Sequence, residues 1–146
     1  MKSVNYPLRK AYVSALAGIE IEGQPVPVYY LVAPDSETSP YYITLNSVSN
    51  NDISTKGSSD TNTSMQVQIH TWSNGGNSGA VADIIAQAVY EQIYFNTQTV
   101  LDLSADNLQM ISTKMANDQV NELSGLGNKQ FVTRIITFDH NIYHKN

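Results

Sequence analysis

The sequence predicts an α+β fold: a mainly antiparallel sheet of four to five strands with two helices packed on one face. Two observations carry that expectation. Met65 to Trp72 alternates side chains with a period of two, and from Gly79 the period lengthens, so that Val81, Ile84, Ile85, Ala88, Val89 and Gln92 share one helical face. Elsewhere strand-like runs follow one another directly, which favours antiparallel neighbours over βαβ units.

Pro7 suits the first turn of a helix, where its missing N–H costs nothing, and Leu8, Ala11, Tyr12, Ala15 and Leu16 form an apolar stripe before Gly18. Ile19 to Val32 contains Gly23, Pro25 and Pro27, so it holds at most a short edge strand around Val26 to Leu31. Ala33 to Pro40 reads as a loop, and Tyr41 to Ile53 as a strand with Tyr41, Ile43 and Leu45 on one face. Ser47 to Ser64 is the polar extreme of the chain. It is expected as a long inter-strand loop, with the strands extending partway into it and a mobile tip.

After the strand Met65 to Trp72 and the polar loop Ser73 to Gly79, the second helix runs to Tyr94. Asn96 to Asp106 is expected as a connection, Leu108 to Met115 as a strand, and Asn117 to Lys129, with Gly125 and Gly127, as a turn region. Gln130 to His144 is a closing β-rich run. No repeat and no linker interrupts the chain, so residues 1–146 are expected to form a single domain around one core.

Eight basic and thirteen acidic residues give a net charge of -5, and neither sign is clustered. Phosphate binding draws most of its affinity from grouped Lys and Arg, so specific nucleic-acid binding is not expected. The absence of cysteine removes disulfides, thiolate nucleophiles and thiolate-bound zinc. No stretch has the length of a signal-peptide core or a membrane-spanning helix, so no membrane partner is expected.

Chemical signatures are scarce. The loop Ser73 to Gly79 lacks both the dinucleotide-binding and the phosphate-loop glycine spacing, and Ser78 reads as a helix N-cap. His140 and His144 stand four apart in a strand, about 13 Å along one face, too far to share one ion. They read as exposed or rim histidines, and no catalytic residue, metal site or cofactor is expected. The remaining possibility is a ligand site on the same scaffold near His70, Gly75 and His140, for a small molecule or an unrecognised hydrolase activity.

Several stretches together resemble the small tail-completion proteins of long-tailed bacteriophages and prophages, the tail terminators and tail-to-head joining proteins. They are the helix Pro7 to Ala17, Val28-Tyr29-Tyr30 leading into Pro40-Tyr41-Tyr42-Ile43, Val67 to Ser73 ending in Trp-Ser, the helix Ala80 to Tyr94, and the closing strand Phe131 to Phe138. The resemblance implies a non-enzymatic virion protein, assembled in the bacterial host cytoplasm. It would form a homo-oligomeric ring, commonly a hexamer, at the head-proximal end of the tail tube, with tube and head-connector proteins as partners. A head-closure or neck position in the same virion is the alternative. On this reading Ser54, Thr55, Lys56, Gly57, Ser58, Ser59, Asp60, Thr61, Asn62, Thr63 and Ser64 form a candidate assembly loop that orders against a neighbour.

Overall fold

The computed structural model describes residues 2–74, 78–95, 101–124 and 129–145. Helix α1 (Asn5–Leu16) is followed by strands β1 (Glu20–Ile21), β2 (Gln24–Pro25), β3 (Val28–Tyr30), β4 (Tyr41–Asp52) and β5 (Asp60–Asn74), then helix α2 (Ser78–Ile93). A 3-10 turn at Ser104–Asp106 leads into β6 (Leu108–Ser124) and β7 (Lys129–His144). The main sheet has the order β3-β4-β5-β7-β6, while β1 and β2 form a separate hairpin. Only the β3–β4 pairing is parallel; the others are antiparallel, giving the α+β architecture the sequence predicts.

Alternation explains the core. Thr61, Thr63, Met65, Val67, Ile69 and Thr71 of β5 are all buried, and so are Val132, Ile136, Phe138, His140, Ile142 and His144 of β7. With Ile43 and Leu45 of β4 they make the inner face of the sheet. Leu8, Tyr12 and Leu16 of α1 close over it, together with Ala82, Ile85, Ala86, Val89 and Ile93 of α2. A fully buried Leu or Ile contributes about 1.5–3 kcal/mol relative to its exposed state, so this face dominates stability.

The structure differs from the sequence expectations at four places. The buried face of α2 is rotated: Ile84 is 57% exposed, and Ala82, Ala86 and Ile93 pack inward instead. Small alanines let the helix approach the sheet closely, and because Asp83, Gln87 and Glu91 mark only a narrow polar stripe, the apolar arc is wider than the face that packs. The strands extend into the polar segment after Ser47 as expected, β4 to Asp52 past a register shift between Ser47 and Ser49, but β5 starts at Asp60, ahead of the expected Met65. The connection between them is tied down by Asx- and Ser-type turns: Ser54 N–H donates to the Asp52 carboxylate at 2.9 Å, and Ser58 Oγ to Asp60 at 2.5 Å.

The third difference is β6, which continues through Ser124 where a turn region beyond Met115 was expected. Register shifts at Met110/Ser112 and Met115/Asn117 break its period of two. Finally, the Pro-bearing stretch before β3 holds the β1–β2 hairpin, whose turn residues Glu22 and Gly23 have φ of 51° and 80°. Left-handed backbone at both central positions matches the twist of a tight two-residue hairpin.

Candidate functional site

Three polar constellations are built on this frame. In the first, β7 carries His140 inward beneath α1. The Tyr12 hydroxyl lies 2.5 Å from its Nε2, and the Thr113 hydroxyl of β6 lies 2.9 Å from its Nδ1. Hydroxyls both donate and accept, so a neutral imidazole is satisfied in either tautomer. Burial lowers the His140 pKa to about 4 and raises that of Tyr12 well above its ordinary value. Two residues further along the same face, Ile142 is core, and then His144 places Nε2 2.8 Å from Thr61 Oγ1 while its Nδ1 accepts from the Lys2 backbone N–H at 3.4 Å. Both histidines are therefore interior, not on the rim. These groups fasten α1 and the N-terminal segment to the sheet.

The second constellation joins α2 to β6 and β7. Arg134 makes a bidentate pair with Asp118, at 2.9 and 2.7 Å, and its remaining terminal nitrogen reaches Asp83 at 2.9 Å. The Tyr90 hydroxyl donates to the same Asp118 carboxylate at 2.6 Å. The guanidinium holds Asp118 below the usual carboxylate range, while burial, then the bond to Asp118, pushes Tyr90 up to about 12. A paired, hydrogen-bonded carboxylate of this kind is a structural clamp.

The third lies on the sheet face turned away from the helices. Tyr42 stacks on His70 with ring centroids 4.8 Å apart, and Thr44 Oγ1 is 2.9 Å from His70 Nε2. Trp72 donates from Nε1 to the Ser39 carbonyl at 3.3 Å, under the Lys129 ammonium 4.6 Å from its ring.

The sheet itself separates the residues of the ligand-site reading. His140 pairs across from the buried Thr63, whereas His70 stands seven positions along β5 on the opposite face, roughly 24 Å away along the strand. Gly75 lies outside the described residues. Among the described residues no group of three His, Cys, Asp or Glu side chains is placed to hold a metal, and no helix is long and apolar enough to cross a membrane. Ser78 begins α2 but does not cap it: its N–H donates to Ser73 Oγ at 3.0 Å, and among the described residues its own hydroxyl finds no partner.

Within the candidate assembly loop, Ser54 to Ser59 form the tip connection, with a bridge between Thr55 and Ser58 that brackets Lys56 and Gly57. Asp60 to Ser64 are the first residues of β5. Thr61 and Thr63 point into the core, while Asn62 and Ser64 donate outward to Asn141 at 2.6 Å and Asp139 at 2.5 Å. A groove of about 600 Å³ that the sequence did not disclose runs between the C-terminal half of α2 and β6, lined by Tyr90, Tyr94, Phe95 and Met115 together with Glu91 and Lys114. The edge strand beside it exposes Ile111, Val120 and Leu123. Scattered apolar residues on an unburied strand carry no periodicity, which is why sequence reading passes over them.

The architecture has a counterpart among solved structures. Its fold is similar to that of a virion chain. The match is to a chain from the virion of a native gene transfer agent particle, with a TM-score of 0.59, 15% identity, and coverage of 97% of this chain and 92% of that one. At that identity the likeness is one of fold, and it extends over nearly the whole of both chains. No protein-family model matches the chain, and no curated protein matches it.

Proposed function

We propose that this chain is a structural component of a phage-type virion, which closes the head-proximal end of the tail tube as a ring and joins tail to head. The observation that carries the reading is the fold shared over nearly the full length of a gene transfer agent virion chain. The role asks for fixed geometry and docking surfaces rather than chemistry, in keeping with histidines tied into the core as neutral groups.

Ring formation requires a heterologous contact that closes on itself, and unpaired sheet edges are suited to it. On one side β4 is covered by β3 only at Ile43 to Leu45, and on the other β6 is paired on one side alone. A charge of -5 spread without clusters lets DNA pass through a lumen without the counterion-release gain that retains it. The hairpin tip at Ser54 to Ser59 supplies a contact to a neighbouring copy or to the tube.

Light scattering coupled to size exclusion, followed by negative-stain imaging, tests the reading. Closed rings of uniform diameter are the expected result; open filaments or unlimited aggregates would count against it.

A further inference from the structure

We infer that residues 31–33 are a strap able to lengthen β3 and cover the open edge of β4, held back by a strained turn at Leu31 and a latch between Tyr29 and Glu37. The device belongs to the single chain and does not depend on ring formation.

Strand β3 stops with its ladder half made. Tyr30 is its last residue in register, opposite Leu45, yet the Leu31 N–H still donates to the Leu45 carbonyl at 2.8 Å. The next bonds of a parallel ladder run from the Ser47 N–H to the Leu31 carbonyl and from the Ala33 N–H to the Ser47 carbonyl. Ser47 faces the right way for both. The Ile43 N–H donates to the Pro27 carbonyl at 2.8 Å, and donors on one side of a strand recur at every second residue. A three-residue turn diverts the chain instead. The Val32 N–H donates back to the Tyr30 carbonyl at 3.0 Å, and Leu31 between them has φ of 71°. Together they make the γ-turn of positive φ, a rare geometry that is strained at any residue but glycine.

Lengthening β3 returns Leu31 to ordinary extended backbone and completes the two bonds at Ser47. Val28 and Tyr30 pack against the core, so Val32, two positions on and now 75% exposed, would fall on the same face beside Tyr30. The sequence also sets where the strap ends. Ala33 precedes Pro34, which favours extended backbone at Ala33, and Pro34 has no N–H. The register shift between Ser47 and Ser49 bends β4 at the same point.

The latch opposes this. The Tyr29 hydroxyl donates to the Glu37 carboxylate, whose other oxygen accepts from the Ser39 N–H at 2.7 Å, and the Glu37 N–H donates to the Pro34 carbonyl at 2.9 Å. Extending residues 31–33 carries Pro34 about 10 Å along β4, away from Tyr29. Latched, the chain leaves the outward backbone groups of β4 from Asn46 onward open to a strand from outside; released, it covers the first of them itself.

Amide exchange followed residue by residue by NMR on the full-length protein tests the strap. Leu31→Val disfavours positive φ, and Tyr29→Phe removes the donor of the latch. Each is expected to slow exchange of the Ser47 and Ala33 amides at least about tenfold relative to the wild type. Leu31→Gly adopts the turn without strain and is expected to leave both amides exchanging as fast as in the wild type, or faster. Exchange at Ile69, fully buried in β5, is the folding control. Glu37→Ala releases the latch from its other end and is read in the same way. Unchanged exchange at Ser47 in Leu31→Val and in a latch variant that keeps Ile69 protected overturns the strap. Equal slowing in Leu31→Gly and Leu31→Val overturns it as well, since backbone strain would then have no part in the change.

Discussion

The Tyr12 hydroxyl lies 2.5 Å from Nε2 of His140, so the first helix is bonded to the last strand through a pair of buried side chains 128 residues apart in sequence. Tyr12→Phe keeps the ring and removes the hydroxyl, leaving the imidazole nitrogen buried without its partner. The expected cost is about 1–3 kcal/mol, read as a lower urea midpoint at unchanged slope. An unchanged midpoint would show that the bond contributes nothing net.

Acid is expected to act on the same pair. Burial lowers the His140 pKa to about 4 from an ordinary value of 6.5, so between those values the unfolded chain binds more protons than the folded one. Stability is therefore fully present above about pH 6.5 and declines as pH falls toward 4, by up to about 3 kcal/mol from this residue. His70 and His144 are lowered too and add with the same sign. Urea titrations between about pH 7.5 and about pH 4.5 follow the decline, and His140→Gln is expected to flatten it. A slope that survives that substitution intact would assign the effect elsewhere.

Much of this frame was legible from residue order, and the misreadings have physical causes. Met65, Val67 and Ile69 announce β5 because one face is buried and the other is not. The same alternation continues back through Thr63 and Thr61, where hydroxyls replace methyl groups and the stretch reads as loop. It also runs through Ile136, Phe138, His140, Ile142 and His144; following it to its end places both histidines inside. The distal half of β6 left no such trace. Ala116 to Leu123 has no buried face, and what holds it as strand is the backbone ladder to β7, which residue types do not encode.

Arg134 gives a graded test of the clamp between α2 and the sheet. Its side chain and that of Asp118 are 19% and 17% exposed, whereas Asp83 is 72% exposed. Arg134→Met is expected to cost about 2 kcal/mol by leaving Asp118 half-buried with Tyr90 alone, and Asp83→Asn less than about 0.5 kcal/mol. Chemical denaturation of the two variants gives the comparison; equal losses would mean the pairing with Asp118 has no special weight.

The tip of the β4–β5 hairpin separates folding from assembly. The Ile53 N–H donates to the Asp60 carbonyl at 3.1 Å, so the strands already face each other where residues 54–59 leave them. Replacing 54–59 with Asn-Gly suits that geometry and is expected to shift the thermal midpoint by only a few degrees. Reduced ring formation with an intact fold would identify the tip as an assembly contact; unchanged ring formation would make it a plain connector.

Gold-labelled antibody against this chain, applied to particles released by cells that carry it, locates the protein in the virion. Label at the junction of head and tail, one cluster per particle, is the expected result. Label at the tail tip or along the tube, or particles that carry none, would contradict it.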